Sequence, residues 1–183
     1  MEHRINTPIT SEIATSLHAG EYCYISGTIY VARDAAHGRM NEALNKGEKL
    51  PIPIENCTIY YMGPSPARPG RPIGSAGPTT ASRMDKYAPR LLDLGMKAMI
   101  GKGKRTPEVI DAIVRNKGVY FAAVGGAGAL LSKCIKSSEI VCYDDLGAEA
   151  IRKLYVEDFP VIVVVDSEGN NLYETAIKEF SQI

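Results

Sequence analysis

Apolar and polar residues alternate along Tyr22–Val31, and this period predicts a β-strand. Gly27 interrupts the alternation, so we expect the strand to bend there. Asp34 begins a predicted helix with apolar residues at helical spacing, and Asn45-Lys46-Gly47 supplies its stop signal. The next predicted strand is Cys57–Met62, bounded on both sides by residues that favour turns.

Helical and strand-like segments alternate from Ser82 onward. The apolar strands are short and lack alternation, which is typical of a sheet covered on both faces. We therefore predict an α/β fold with right-handed crossovers. The predicted elements are helix Ser82–Leu94, strand Lys97–Ile100, helix Pro107–Asn116, strand Val119–Val124, helix Ala127–Lys133, strand Ile140–Tyr143, helix Ala148–Tyr155 and strand Val161–Val165, followed by a turn into a short strand or a final helix.

A long segment between the two halves, Gly63–Pro78, has no apolar period and is dominated by glycine and proline. Loops of this length inside a compact domain are usually functional or disordered. The chain has 183 residues, which is enough for one domain with a substantial core. We therefore predict a single domain over residues 1–183 that contains this loop.

The charges of the chain balance, with 21 lysines and arginines against 21 aspartates and glutamates. No net field favours nucleic acid or an anionic membrane surface, so we expect neither as a partner. The longest apolar runs, Phe121–Val124 and Val161–Val165, are far shorter than the ~20 residues of a transmembrane helix. The amino end lacks the apolar stretch of a signal peptide, so we expect a cytoplasmic protein.

The four cysteines, Cys23, Cys57, Cys134 and Cys142, are widely spaced, with no Cys-x-x-Cys pair and no histidine at zinc spacing. Each lies within or beside apolar sequence, and free cysteine is among the most buried residue types. We therefore predict buried free thiols and no metal site. An iron–sulfur cluster held by this chain alone is not expected.

The long loop ends in Gly77–Asp85, where small hydroxyl residues and an arginine stand at the start of a predicted helix. Thr79, Thr80 and Ser82 suit the capping of that helix. A helix start with hydroxyl groups and Arg83 one turn in is also a prepared site for a carboxylate or a phosphate. The pattern alone leaves both interpretations open.

A second candidate group, Arg33, Asp34 and His37, lies where the first predicted strand meets its helix. Ligands of open α/β sheets gather outside the carboxyl ends of the strands, which is where Arg33 is expected. Asp34 also suits a helix cap, and a lone histidine is usually solvated or hydrogen-bonded. Together the three residues offer a carboxylate clamp and a proton carrier that works near neutral pH.

Two glycine-rich turns are further candidates. Gly101–Pro107 lacks the spacing of a P-loop, so nucleoside triphosphate binding is not expected there. Its glycines still allow close approach of the backbone to a ligand, and Lys102 or Lys104 supplies a positive charge. The Gly125–Gly128 turn follows a predicted strand and is almost a dinucleotide-binding turn, although tight packing of a helix on a strand explains it equally well.

Three of these segments together resemble the β subunit, or C-terminal domain, of class I iron–sulfur fumarate hydratases and L-tartrate dehydratases. The likeness covers nearly the whole chain. Ala81-Ser82 differs from the Ala-Gly pair of the larger single-chain enzymes, which favours the two-subunit form. The segments are Gly77-Pro78-Thr79-Thr80-x-x-Arg83-Met84-Asp85, Arg33-Asp34-x-Ala36-His37 and Gly101-Lys102-Gly103, with further likeness at Tyr120–Ala129 and Asp144–Ala150.

The resemblance implies a swivelling β/β/α domain, with helices covering a mixed sheet, that closes over a site shared with an α subunit. The α subunit would carry a [4Fe–4S] cluster on three cysteines, leaving one iron to bind the substrate as a Lewis acid. It further implies an α2β2-type hetero-oligomer, inactive without its α subunit. The implied reaction is the reversible hydration of fumarate to (S)-malate, a step of the tricarboxylic acid cycle.

The same resemblance implies roles for single residues. Arg33, Arg83 and Lys102 would bind the carboxylates of a C4 dicarboxylate substrate, so that water adds across a positioned double bond. Thr79 would be the catalytic residue that transfers the proton. A threonine hydroxyl is a poor base without support from nearby cations, so His37 is kept as a second catalytic candidate.

Three alternatives stay open on the sequence. The substrate is L-tartrate if the chain is a tartrate dehydratase β subunit. A dinucleotide-binding enzyme would use the Gly125–Gly128 turn and lose NAD(P) binding on Gly126→Val. A non-catalytic stabilising subunit would leave the assembled complex active after Thr79→Ala and Arg83→Ala.

Overall fold

The computed structural model describes residues 2–124 and 128–180. The strand at Tyr22–Val31 and the helix at Pro107–Asn116 are confirmed at their predicted bounds, and the helix that begins at Asp34 ends at Asn45, within its predicted stop signal. The strands are β1 (Glu2–Asn6), β2 (Tyr22–Val31), β3 (Thr58–Tyr60), β4 (Ala98–Gly101), β5 (Val119–Ala123), β6 (Ile135–Cys142) and β7 (Ile151–Val165). The α-helices are α1 (Ser11–Thr15), α2 (Asp34–Asn45), α3 (Ala88–Asp93), α4 (Pro107–Asn116), α5 (Gly128–Ser132) and α6 (Leu172–Phe180), with 3-10 helices at Ala81–Met84 and Asp144–Glu149.

The seven strands form one mixed sheet. The neighbours β1 to β5 pair in sequence order and in parallel, whereas β7 runs antiparallel to β2, β5 and β6. Because β7 pairs with both β2 and β5, the strands β2, β3, β4, β5 and β7 close into a ring. The register between β2 and β7 shifts beside Gly27, whose φ is 121°, in agreement with the predicted bend.

Neighbouring residues of the central strands lie in two different hydrophobic cores. Because successive side chains of a strand point to opposite faces, this arrangement requires that both faces are covered. The second core also takes in buried residues of α2, α3 and α4, which cover the outer face of the ring. The prediction of an α/β fold with helices covering a mixed sheet is confirmed. The first core contains Tyr60, Ile100 and Phe121, and the second contains Ile59, Met99 and Tyr120.

The prediction of a helix over Ala148–Tyr155 is wrong, because most of this segment belongs to the 15-residue strand β7. Ile151 and Leu154 have the spacing of one helix face. However, Ile151 packs into the second core and Leu154 into the first. Residues three apart in a strand point to opposite faces, so the apolar spacing reflects a strand buried on both sides.

The helix predicted over Ser82–Leu94 is interrupted. A 3-10 helix ends at Met84, and α3 begins only at Ala88. Pro89 has no N–H group, and its ring would clash with the carbonyl four residues earlier in a continuous α-helix. The chain therefore passes from the candidate motif into α3 through a turn.

The Gly63–Pro78 loop contains no helix or strand and is held at its base by hydrogen bonds. The N–H of Ser75 donates to Oγ of Ser65 over 2.7 Å, and the N–H of Ser65 donates to the Ser75 carbonyl over 3.2 Å. The buried hydroxyl of Tyr60 donates to the carbonyl of Ala76 over 2.6 Å. The base of the loop is thus anchored to the first core, while its tip is exposed.

Within the described residues, no helix combines the length and apolar composition that crossing a membrane requires.

Candidate functional site

The candidate residues gather at the edge of the sheet where the parallel strands end. β2, β3 and β4 run in the same direction, so their carboxyl ends meet at one edge. Arg33 follows β2 after one intervening residue, and Lys102 follows β4 directly. Ligands of α/β sheets bind at this edge because loops and helix starts converge there.

Thr79 is held at this edge by backbone hydrogen bonds on both sides. Its N–H donates to the carbonyl of Tyr61 over 2.7 Å, and its own carbonyl accepts from the N–H of Lys102 over 3.3 Å. The N–H of Ala81 donates to the carbonyl of Lys102 over 2.8 Å, which continues this pairing. The end of the long loop therefore lies between the extensions of β3 and β4, and this fixes Thr79 beside Lys102.

Arg33 contacts the start of the same loop. A Cβ atom placed on Gly63 would lie 2.8 Å from Nη1 of Arg33, so the guanidinium group uses the space that this glycine leaves. The backbone bridge between Met62 and Pro78 brings Gly63 close to the segment that holds Thr79. The predicted residues Arg33, Thr79 and Lys102 are thus brought together by the two ends of one loop.

Arg83 joins the group through an ion pair. Its Nε lies 2.8 Å from Oδ2 of Asp34, the first residue of α2. About half of the Arg83 side chain and about a third of the Asp34 side chain are exposed. Arg83 is therefore held at the residue that follows Arg33 and remains accessible to a ligand. The alternative interpretation of Asp34 as the helix cap does not hold, because Arg33 occupies the N-cap position.

His37 lies one turn into α2 and is only 1% exposed. Its Nδ1 lies 2.8 Å from the Arg33 carbonyl, which can only accept, so Nδ1 carries the proton and donates. Burial lowers the pKa of His37 to about 4. Near neutral pH the imidazole is therefore neutral, and its ring packs between Tyr61 and Tyr87.

Three buried polar atoms at the start of α2 lack a hydrogen-bond partner among the described residues. They are Nε of Arg33, Oδ1 of Asp34 and Nε2 of His37. An unsatisfied buried polar group costs about 1–3 kcal/mol, so such groups are rare in native structures. Their concentration in one place indicates that the residues at this edge serve a function rather than the stability of the fold.

A buried ion pair that the sequence did not suggest lies next to the candidate site. Nε of Arg105 donates to Asp85 over 2.6 Å, and the second oxygen of Asp85 accepts from the N–H of Thr106 over 2.8 Å. Both side chains are almost completely buried, and the Arg105 guanidinium lies over the ring of Tyr120. Asp85 belongs to the quoted motif, but no periodicity or spacing identifies Arg105 as its partner.

The Gly101–Pro107 loop is fixed by its surroundings. A Cβ on Gly101 would lie 2.9 Å from the ring of Tyr61 and 3.1 Å from Cβ of Ala81. Gly103, with φ at 88°, donates its N–H to the hydroxyl of Tyr173 and accepts from the hydroxyl of Tyr120. Gly101 therefore allows close packing of the Thr79 segment, and Lys102 stands exposed between two fixed glycines.

Glu149 is an acidic residue near the site that the sequence did not suggest. Its Oε1 accepts from the N–H of Ala35 over 3.3 Å. Its neighbour Asp145 forms a bidentate ion pair with Arg39. The Asp144–Glu149 helix thus caps the start of α2 from outside. In the sequence, only the acidic residues of the Asp144–Ala150 segment could have indicated this contact.

Of the Gly125–Gly128 turn, residues 125–127 lie outside the described part of the chain. A Cβ on Gly128 would lie 2.6 Å from the N of Gly77 and would also clash with Oγ of Ser75. The N–H of Ala76 donates to the Gly128 carbonyl over 3.1 Å. Gly128 therefore lets α5 approach the long loop closely. β7 lies between β5 and β6, so the adjacent parallel strands of a dinucleotide-binding unit are not formed.

The described residues do not fit the ligand set of an iron–sulfur cluster. They contain no group of three or more histidine, cysteine or acidic side chains placed to hold a metal ion. Burial raises the pKa of both Cys23 and Cys57 to about 12, so neither is a ready thiolate. The predicted burial is confirmed for these two cysteines, while Cys134 and Cys142 are only partly buried.

Several known proteins are similar to this chain over most of its length. The chain is 42% identical over 157 residues to the anaerobic class I fumarate hydratase of Escherichia coli (strain K12), covering 85% of this chain and 29% of that protein. It is 39% identical over 160 residues to fumarate hydratase 2 of Leishmania major, covering 86% of this chain and 28% of that protein. The chain thus spans less than a third of these relatives.

A third relative has nearly the same length. The putative L(+)-tartrate dehydratase subunit beta of Methanocaldococcus jannaschii is 36% identical over 185 residues, covering 98% of this chain and 94% of that protein. The family model described as Fumarase C-terminus matches residues 2–176, which include every candidate residue discussed above. The chain therefore belongs to the Fumarase C-terminus family.

Proposed function

We propose that this chain is the β subunit of a two-subunit iron–sulfur hydro-lyase that reversibly hydrates fumarate to (S)-malate. The observation that carries the proposal is the pairing of Thr79 with Lys102 at the ends of β3 and β4, beside Arg33 and Arg83. The names of the Escherichia coli and Leishmania relatives support a class I fumarate hydratase. We also propose that the protein is cytoplasmic and binds neither nucleic acid nor membranes.

The three cations suit a substrate with two carboxylates. Arg83 is paired with Asp34, the residue after Arg33 at the start of α2, and Lys102 follows β4 at the same edge of the sheet. Carboxylates bind arginine through charge-assisted hydrogen bonds, which fix orientation as well as position. A clamped dicarboxylate presents its double bond in one orientation, and this lowers the entropic part of the barrier to water addition.

Thr79 is the proposed proton-transfer residue. The cations Lys102, Arg33 and Arg83 favour a negatively charged oxygen at this place, so the hydroxyl gives up its proton more readily. His37, the second candidate, is neutral and buried, with its Nδ1 proton committed to the Arg33 carbonyl. The geometry therefore favours Thr79, and His37 serves to hold the backbone of Arg33.

The iron–sulfur cluster is assigned to an α subunit, because the described cysteines of this chain do not form a ligand set. The subunit name of the Methanocaldococcus relative supports a two-subunit enzyme, for which we propose an α2β2-type assembly. In this proposal the chain closes over a shared site and is inactive alone. Its own contribution is to bind the carboxylates and to move a proton at Oγ of Thr79.

L-Tartrate is the second candidate substrate. The observation that favours it is the tartrate dehydratase relative that matches over nearly the full length of both chains. Fumarate and tartrate share the two carboxylates and differ in hydroxyl groups, so the same three cations serve either substrate. Parallel assays with both compounds distinguish the two.

The test is hydration of fumarate by the chain purified with its cluster-bearing partner. We expect Arg83→Ala and Thr79→Ala to lower kcat/KM by at least about a hundredfold, since each removes a group that acts on the substrate. The matched control is Arg115→Ala, because Arg115 is equally exposed and forms an equivalent ion pair with Asp93. Full activity of the Thr79 and Arg83 variants would instead indicate a non-catalytic stabilising subunit.

A further inference from the structure

Four exposed cations border the tip of the long loop. Arg68 and Arg71 lie in the loop itself, and Lys133 and Lys136 lie where α5 leads into β6. Neither residues 63–78 nor residues 128–138 contain an aspartate or a glutamate. The zero net charge of the chain therefore conceals a local excess of positive charge on this face.

These cations line two adjoining cavities. The first, of about 250 Å³, is lined by Arg68 and Arg71 together with three serines. The second, of about 390 Å³, is lined by Arg71, Lys133 and Lys136. Both cavities share Arg71, Ile73 and Ser132, so they form one continuous depression. We call it the basic groove.

The charges of the basic groove are not neutralised within the described residues. No carboxylate lines either cavity, and none of the four cations belongs to an ion pair of the described chain. Nζ of Lys136 donates to the carbonyl of Lys133 over 3.1 Å, which orients one cation without removing its charge. The groove therefore attracts anions, and its arginine and lysine side chains offer N–H donors to them.

The walls of the groove are partly apolar, which bears on the kind of anion it takes. Ile73 lines both cavities, Ile135 lines the second, and Pro66 and Pro72 line one each. A free phosphate or polyphosphate has no apolar surface to place against these residues. A polypeptide segment that alternates acidic and apolar side chains matches both the cations and the walls.

We infer that the basic groove docks an acidic segment of the partner subunit. This inference rests on the proposed function for the identity of the partner. The groove lies on the loop whose base is tied to Gly128 and whose end holds Thr79 between Tyr61 and Lys102. A segment bound in the groove thus engages the same loop that forms the candidate site.

The first experiment measures binding of the full chain to a short fluorescent peptide of Glu-Glu-Leu repeats. We expect binding that weakens with added salt. Arg68→Glu/Arg71→Glu should lower the affinity by about tenfold, because two attractive pairs become repulsive. The control Lys46→Glu/Lys49→Glu makes the same charge change at exposed positions that line neither cavity, and it should bind as the wild type does.

Three results would overturn the inference: equal affinity of both double variants, equal binding of a Gln-Gln-Leu peptide, or equally strong binding of tripolyphosphate in competition. None of these readouts needs hydratase activity, so a failure of the proposed function is distinguishable from a failure of the groove. In the assembled enzyme, Arg68→Glu/Arg71→Glu should also weaken association with the cluster-bearing subunit by about tenfold. Association equal to that of the lysine control would contradict the assignment.

Discussion

Nε of Arg83 lies 2.8 Å from Oδ2 of Asp34, so an arginine from the 3-10 helix that follows the long loop is held at the first turn of α2. Without this contact the long Arg83 side chain would sample several rotamers on an exposed surface. Asp34 therefore acts as a positioning residue for one of the proposed carboxylate-binding groups.

Replacing Asp34 by asparagine removes the charge that orients Arg83 and keeps the size of the side chain. We expect KM for fumarate to rise by up to about fivefold with a smaller change in kcat, which matches the energy of an exposed ion pair. The free energy of unfolding should fall by less than about 1 kcal/mol. Steady-state kinetics of the assembled enzyme and urea denaturation of the chain measure the two quantities.

The matched control for this change is Asp93→Asn, which removes the ion pair with Arg115. That pair joins α3 and α4 near the opposite edge of the sheet, where β5 begins. The Asp93→Asn variant should therefore have the KM of the wild-type enzyme. An equal KM for Asp34→Asn and the wild-type enzyme would refute the positioning role.

Gly63→Ala tests the contact between the loop and Arg33. The added methyl group would lie 2.8 Å from Nη1 of Arg33, which is the mobile end of a long side chain. The guanidinium can move away at little cost in stability, but it then leaves its place in the carboxylate clamp. We expect kcat/KM to fall by about tenfold while the unfolding midpoint in urea stays within error.

Gly38→Ala serves as the comparison for Gly63→Ala. Its added methyl group makes an ordinary contact, 3.4 Å from the hydroxyl of Tyr87. Alanine is a better helix former than glycine, so this variant should be slightly more stable with unchanged kinetics. A loss of activity in both variants would mean that the Gly63 result does not report on Arg33.

The buried pair of Asp85 and Arg105 predicts a large stability effect. Asp85→Ala leaves a buried guanidinium without its carboxylate, which typically costs about 3–5 kcal/mol. We expect a comparable fall in the free energy of unfolding, measured by urea denaturation. The double variant Asp85→Leu/Arg105→Met should recover part of this loss, since it removes both buried charges. A double variant less stable than Asp85→Ala would contradict this explanation.

His37 makes the stability of the chain depend on pH. Its pKa is about 4 in the folded protein and near 6.5 in the unfolded chain, so the unfolded chain binds the additional proton between these values. The stabilisation is complete above about pH 6.5 and is lost as the pH falls towards 4, by on the order of 3 kcal/mol. Urea denaturation at a series of pH values measures this loss.

His37→Asn isolates the contribution of the imidazole. Asparagine retains an N–H donor near the position of Nδ1 but does not titrate in this range. The difference in unfolding free energy between wild type and variant should therefore shrink as the pH is lowered from 7 to 4. A constant difference across this range would show that His37 does not become protonated on unfolding.

Much of the fold follows from local patterns. The strand at Tyr22–Val31 and the helices at Asp34–Asn45 and Pro107–Asn116 have clear periods and end signals, and they form as predicted. The failures have tertiary causes. β7 is buried on both sides, so its apolar residues imitate a helical period over Ala148–Tyr155, and Pro89 interrupts a segment whose apolar spacing continues across it.

Part of the candidate site could also be predicted from the sequence. Arg33 and Lys102 could be placed because they follow strands, and Thr79 and Arg83 because they lie in a recognisable motif. The partners of Asp85 and Asp34 could not be predicted from spacing, since Arg105 and Arg83 reach them through tertiary contacts. Those contacts depend on how the loop returns to the sheet, which no local period records.

The closure of the ring by β7 has a consequence for how the chain is made. β2 ends at residue 31, and its partner β7 begins only at residue 151, so the ring cannot close until β7 has left the ribosome. Contacts between residues so distant in sequence slow folding, because a long loop must close before they form. Until then, the nascent chain exposes the unpaired edges of β2 and β5, and during synthesis these two strands are the places where aggregation would begin.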